Sequence, residues 1–472
     1  MKKVFISLFA LIASMTAFAQ QTEVNQYGQK VNALPVNATV QDGILVFQNK
    51  EANYKMWFDV RVQADAAAFF GAPNFCAKEI DGKVNTNHIG SGMNLRRTRF
   101  AVKAQLDKNW YGELDTDWTS GTPELKDAYL GFTGVEGLEV KVGNFKESFS
   151  IQRNTTSRYL MFMERAMVTY LAPSRHLGIN ARYSHDWFWA SFGIFGPELS
   201  SMEEQEYMEK KHNRDKGYDE GLSYTGKLVF RPLYKSQTSS LHIGGAVSYR
   251  GNKTTNTDGY GTFRYSSRNS TSINRKKYLD TGAISGVDHE LAWTVELAGH
   301  CNGLRYETAY IARGAYIDNT KNAKIGSQQW ADGFYAQASY LLFGGTQNYD
   351  ADGAKYTRTT SDRKWGNLEV AFRYEYADFN TGKLWSDIID VYGGSGSAYT
   401  VGLNYYPSKN VKIMLNYQFN DNDKYANGKD SDFYVGYNKY GKPTADSDQV
   451  DASKGVQGVD YSMLAIRFQV AF

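Results

Sequence analysis

At 472 residues the chain is long enough for about three soluble domains, yet no linker and no shift in composition divides it. Aromatic residues make up 15%, Gly is abundant at 44, Pro is scarce at 8, and mean hydropathy is −0.52, a balance that fits strands wet on one face and apolar on the other. Removing Lys2 and Lys3 with a leader leaves 51 of the 53 basic residues against 50 acids; bulk charge favours no nucleic-acid or other polyanionic partner, and any selectivity must come from local placement.

The chain opens on Met1-Lys-Lys3, an apolar run from Val4 to Phe18 and the small-x-small site Ala17-Phe-Ala19. This reads as a signal peptide over residues 1–19. No later apolar run approaches the roughly 18 residues a membrane helix needs. A membrane protein with this sequence must be a barrel, because only helices and closed barrels satisfy every backbone group in lipid. Residues 20–53 read as a short periplasmic leader, loose as far as Gln41, with Ile44–Phe47 and Tyr54 onward pairing as a small hairpin. Residues 54–472 read as the barrel.

Alternating segments with turn signals between them then follow. The expected strands are Met56–Asp65, Leu95–Leu106, Trp110–Trp118, Leu125–Phe132, Leu138–Asn144, Leu177–Tyr183, Trp187–Phe195, Ser223–Arg231 and Leu241–Arg250. After these come Glu290–Cys301, Leu304–Tyr316, Gly333–Phe343, Leu368–Tyr376, Tyr399–Tyr406, Val411–Phe419 and Tyr461–Phe472. That is about sixteen, the even number that bacterial single-chain barrels show; Lys277–Ile284 is a candidate extra strand. Short turns such as Asp107–Asn109 and Asn302-Gly303 alternate with long connections, as periplasmic turns alternate with external loops. Gly344–Gly366 breaks that alternation by falling on the short-turn side. The closing strand puts Leu464, Ile466, Phe468, Val470 and Phe472 on one side and Arg467 and Gln469 on the other. The fold class is therefore all-β, a transmembrane antiparallel barrel. Its polar face carries too many charges for a dry core and fits a water-filled lumen. Cys76 and Cys301 are too few for a disulfide framework and are not expected to pair.

On Leu95–Leu106 one face carries Arg97, Arg99 and Lys103. Two readings stand: an anion ladder on the pore wall, or cross-strand ion pairs. If Asp107–Asn109 is the turn, Lys103 lies opposite Glu113 and Arg99 opposite Asp117, leaving only Arg97 free. The connection Lys146–His176 carries Lys146, Arg153, Arg158, Arg165 and Arg175 against Glu147 and Glu164, a surplus of three cations. Folded into the lumen, it would place bare guanidinium groups at the narrowest point, and Arg or Lys there selects anions.

The stretches Leu95-Arg-Arg-Thr-Arg-Phe100, Leu125-Lys-Asp-Ala-Tyr-Leu-Gly131, Lys141-Val-Gly-Asn-Phe-Lys-Glu-Ser-Phe149, Phe162-Met-Glu-Arg165 and Ala172-Pro-Ser-Arg-His-Leu-Gly178 resemble the phosphate-selective porin O and P family. So do Trp365-Gly-Asn-Leu-Glu-Val-Ala-Phe-Arg-Tyr374, Tyr399-Thr-Val-Gly-Leu-Asn-Tyr-Tyr-Pro407 and Asn410-Val-Lys-Ile-Met-Leu-Asn-Tyr417. These motifs come in the family's order and span most of the mature chain. The resemblance implies a sixteen-stranded homotrimeric porin of the Gram-negative outer membrane, whose third external loop folds into the pore and passes small anions such as phosphate. Two departures stand out. Ser148 replaces a frequent Pro, and this loop has one lysine and four arginines where phosphate-selective members cluster lysines.

Outer-membrane lipid and the barrel-assembly machinery are the other expected partners, with no cofactor and no metal. The alternatives are a weakly selective general porin, an adhesin barrel, or a barrel enzyme. The enzyme needs an assembled nucleophile and base, and His88, His176, His185, His212, His242, His289 and His300 fall in no such motif.

Overall fold

The computed structural model describes residue 29, residues 35–41, 43–71, 89–196, 221–236, 238–251, 261–268, 270–273, 275–428 and 433–472, and the short strands Glu79–Ile80 and Lys83–Val84. The expected signal peptide and Cys76 lie outside them.

The segment expected to be loose as far as Gln41 ends instead in a strand, β1 (Val36–Gln41), which pairs with β2 (Ile44–Asn49). The expected hairpin then joins β2 to β3 (Tyr54–Gly71). The barrel continues with β4 (Gly92–Leu106), β5 (Trp110–Asp117), β6 (Glu124–Val135), β7 (Leu138–Lys146), β8 (Arg175–Ser184), β9 (Phe188–Phe195), β10 (Ser223–Phe230) and β11 (Ser239–Gly251). It is completed by β12 (Ile284–Cys301), β13 (Leu304–Ile317), β14 (Gln328–Leu341), β15 (Asn367–Gly382), β16 (Ser395–Ser408), β17 (Val411–Asn422) and β18 (Tyr461–Ala471). Strands β3 to β18 pair antiparallel with their neighbours, and β18 returns to β3, closing a 16-strand barrel. Asp107 (φ +82°) and Asn302 (φ +50°) supply left-handed residues at two tight turns, a conformation that short polar side chains tolerate.

Burial is inverted relative to a soluble protein. Leu464, Phe468 and Val470 are exposed on the outside of β18, whereas Arg467 and Gln469 are buried within. The strands β15 and β17 follow the same rule, with Glu369, Arg373, Glu375, Lys412 and Gln418 turned inward. Period-two alternation makes this follow from sequence, because a strand wetted on one side must meet lipid on the other.

At the closing seam the Val60 amide donates to the Phe472 carbonyl at 2.6 Å, and the Phe472 amide donates back to Val60 at 3.0 Å. Deleting Phe472 removes both bonds and the last apolar residue of the outer row. We expect a lower yield of barrel that shifts on heating in gels; an unchanged yield would make Phe472 one more lipid-facing side chain.

The lumen is largely filled. The β7–β8 connection folds inward and buries Phe149, Phe162, Val168 and Leu171. Extracellular residues 261–268 and 275–280 dip onto it, with the pair Ser266–Arg268 and Lys277–Asp280. Lys277–Asp280 is therefore a strand of an infolded hairpin and not a barrel strand. Phe263, Tyr265 and Leu279 pack with Phe149, Val168 and Leu171 in one apolar cluster. From the other end, Gly344–Gly366 is a long periplasmic turn carrying the short pair Tyr349–Asp350 and Lys355–Tyr356. It reaches up until Tyr356 packs on Ile151, and Trp189 donates its indole N–H to the Asp352 carbonyl at 2.9 Å. A lumen that the charge pattern reads as open water thus holds an apolar core. Inner side chains of β13 to β18 such as Glu307, Arg373, Asn404 and Arg467 are sealed, while Arg99, Lys103, Glu113, Asp127 and Lys141 on β4 to β7 keep partial exposure. Inward charged groups that keep contact with solvent thus lie on that second wall.

Candidate functional site: the constriction

The constriction loop begins with Ser150, whose hydroxyl accepts from the Arg153 amide at 3.2 Å and caps the single turn α1 (Ile151–Asn154). The Ile151 amide donates to Glu296 on β12 at 2.7 Å. Glu296 in turn contacts Lys227 on β10, and it accepts from or shares a proton with His242 on β11 at 2.8 Å. Gly244 makes room for this cluster: a Cβ there would stand 2.8 Å from His242 Nε2 and 2.9 Å from Glu296 Oε1.

Beyond Asn154 the loop runs along the far wall, which takes its carbonyls one after another. Gln469 donates to the carbonyl of Arg158 at 3.3 Å, Arg305 to Tyr159 at 3.0 Å, Lys412 to Leu160 at 2.7 Å and Asn404 to Met161 at 2.8 Å. Arg467 then binds the carbonyl of Met163, and Arg373 that of Glu164 at 2.9 Å. Side chains that alternation alone assigns to a pore lining act here as a rack for the loop. The four from Arg305, Lys412, Arg467 and Arg373 are charge-assisted, a kind that contributes about 1.5–3 kcal/mol each.

The structure separates the expected site residues into two groups. In the first, charge is cancelled. Arg158 pairs with Asp59. Arg175 grips Asp127 through two bonds at 3.1 and 2.6 Å. Arg99 reaches Asp117 at 3.0 Å and Asp115 at 3.7 Å; Lys103 reaches Asp59 at 3.0 Å and Glu113 at 3.4 Å. The register is the expected one, with Arg99 opposite Asp117 and Lys103 opposite Glu113. Arg97 is not left free: it donates to Gln63 at 2.7 Å and lies 3.5 Å from Glu164. Glu113, Asp115 and Asp127 bring carboxylate oxygens within 4.8 Å of one another, and these same cations sit on them.

In the second group, hydrogen bonds go to backbone carbonyls. Arg153 donates to Thr169 and Ala172 at 2.9 and 2.8 Å. Arg165 donates to Gln152 at 2.8 Å and Thr155 at 2.6 Å. Lys146 donates to the Arg153 carbonyl at 3.2 Å. All three keep partial exposure. The guanidinium groups of Arg153 and Arg158 are therefore not bare: Arg158 is held by a carboxylate and Arg153 by two carbonyls.

Strand alternation misses Arg96. The pairing steps from Gln63 opposite Arg97 to Ala64 opposite Leu95, so Arg96 is the extra residue of a β-bulge and turns inward beside Arg97. The consecutive basic residues in Leu95-Arg-Arg-Thr-Arg99 were the signal, a break in the period of two.

A closed barrel, apolar outside and narrowed by an inward loop that carries surplus positive charge, is an outer-membrane porin biased towards anions. The chain belongs to the family described as phosphate-selective porin O and P, whose model matches residues 74–436. It resides in the outer membrane of a Gram-negative bacterium. Porin O of Pseudomonas aeruginosa is 23% identical over 408 residues, covering 81% of this chain and 86% of that protein. An anion-selective porin from Comamonas acidovorans matches with a TM-score of 0.49 at 10% identity, covering 89% of this chain and 100% of the other. OmpT, an outer membrane protein of Vibrio cholerae, matches at 0.49 and 10%, covering 89% and 98%.

Proposed function

We propose that this porin lets small anions diffuse passively through a narrow, off-centre pore, with selectivity set by Lys146, Arg153 and Arg165. The observation carrying this reading is their placement: three partly exposed cations bonded to carbonyls of the inward loop, across from a wall where Arg99, Lys103 and Arg175 sit on carboxylates. Phosphate is the family's namesake solute and the first anion to try. The pairing of Arg97, Arg99, Lys103, Arg158 and Arg175 favours moderate over tight selectivity, so a weakly selective general porin is the second reading.

The chain works as a channel and not as an enzyme or adhesin, with no cofactor or metal. Supporting this, His176 and His242 are buried against Glu147 and Glu296, where they brace the ends of the loop. A homotrimer in outer-membrane lipid, built by the barrel-assembly machinery after removal of residues 1–19, is the assembly the family suggests. Residues 20–53 then form the periplasmic leader and 54–472 the barrel.

Single-channel recording across a salt gradient with a panel of anions tests the reading. An anion preference with phosphate permeant is expected. Equal permeability to potassium and chloride would leave the general porin; absence of conductance would remove both.

A further inference from the structure

Between Ser148 and Arg175 the constriction loop has one acid, Glu164. It does not face the pore. Arg96 takes both of its oxygens in a fork, at 2.6 and 3.0 Å. Arg467 donates to it at 2.8 Å and Arg97 stands at 3.5 Å. Three guanidinium groups from β4 and β18 thus converge on one carboxylate, and Asp65 also accepts from Arg467 at 2.6 and 2.7 Å. Planar forks of this kind suit carboxylate and phosphate equally. The site opens towards the passage on one side, where Arg96 keeps 27% of its side chain exposed.

The loop's backbone has anchors besides that carboxylate. The wall donors to the carbonyls of Arg158, Tyr159, Leu160, Met161, Met163 and Glu164 hold its backbone. The Glu164 side chain is therefore available for another role, and its partners are those an oxyanion would need.

We propose that Glu164 is a tethered carboxylate occupying an oxyanion site built by Arg96, Arg97 and Arg467, and that it limits anion selectivity by denying that site to permeating phosphate or carboxylate ions. This rests on the reading of the chain as an anion porin. Burial raises the Glu164 carboxyl, but Arg96, Arg97 and Arg467 outweigh it and hold it well below the ordinary carboxylate range.

The experiment compares wild type with Glu164→Gln, Glu164→Ala and Arg96→Ala/Glu164→Ala in planar bilayers. It measures reversal potential in a potassium chloride gradient and block of chloride current by inorganic phosphate. Glu164→Gln keeps the side chain's shape and is expected to raise the chloride-to-potassium permeability ratio about threefold, the effect of removing one negative charge beside a narrow pore. Glu164→Ala vacates the site and is expected to show phosphate block at about a tenth of the wild-type concentration. The double variant is expected to lose that gain. Wild-type selectivity in Glu164→Gln together with wild-type phosphate block in Glu164→Ala would overturn the proposal and make Glu164 a structural pin. So would a larger conductance without altered phosphate block. If the porin reading itself were wrong, wild type would show no anion preference before any variant was made.

Discussion

Replacing Arg153 and Arg165 together by glutamine is expected to move the reversal potential in a salt gradient strongly towards cations. Both side chains keep partial exposure, and their hydrogen bonds run to carbonyls of Gln152, Thr155, Thr169 and Ala172. A unit charge roughly 8 Å from a permeating ion, at an effective dielectric constant of about 20, is worth about 2 kcal/mol before screening. Screening over a Debye length of about 8 Å leaves about 1 kcal/mol per charge. Two such charges favour an anion by about 2 kcal/mol and disfavour a cation by as much, so the double replacement lowers the anion-to-cation permeability ratio by well over an order of magnitude. The same side chains brace the loop, so the lysine pair Arg153→Lys/Arg165→Lys is the control: it keeps charge and loses the planar fork. Selectivity near wild type in the lysine pair and lost in the glutamine pair assigns the effect to charge. Wild-type selectivity in the glutamine pair would return it to the wall arginines. Arg158→Gln is expected to shift selectivity less, since Arg158 is tied to Asp59.

The largest loss of stability is expected for Glu296→Ala. Lys227, His242 and Glu296 have no solvent-exposed side-chain area, and truncating the acid leaves the Lys227 ammonium buried without its counter-ion. Breaking a buried pair by removing one partner costs about 3–5 kcal/mol, whereas replacing both by apolar residues is often near neutral. Lys227→Met/Glu296→Met is accordingly expected to unfold at a denaturant concentration much closer to wild type than Glu296→Ala does. Equal losses in the two variants would show that packing, and not a stranded charge, sets the effect. Both variants also remove the acceptor of the Ile151 amide, so larger and noisier single-channel currents should accompany the change in stability.

All sixteen barrel strands are legible in the sequence because each has to present one face to lipid and the other to a polar interior, which forces a period of two. The same rule gives the inner and outer rows of β15, β17 and β18, and a short turn at Asp107–Asn109 gives the pairing of Arg99 with Asp117 and Lys103 with Glu113. Local chemistry even marks the inward loop by its surplus of cations. What alternation cannot give is the partner of an inward side chain. Arg305, Arg373, Lys412 and Arg467 face the lumen as their strands dictate, yet only the folded loop decides that they bind its carbonyls and not a passing anion. Nor can it resolve Arg96, where a bulge shifts the period by one residue, or Glu164, which meets Arg467 across 303 positions of chain. Strand periodicity is a local constraint, fixed by which solvent each face meets. Neutralisation of charge depends on contacts between segments far apart in sequence, and only the packed lumen brings those together.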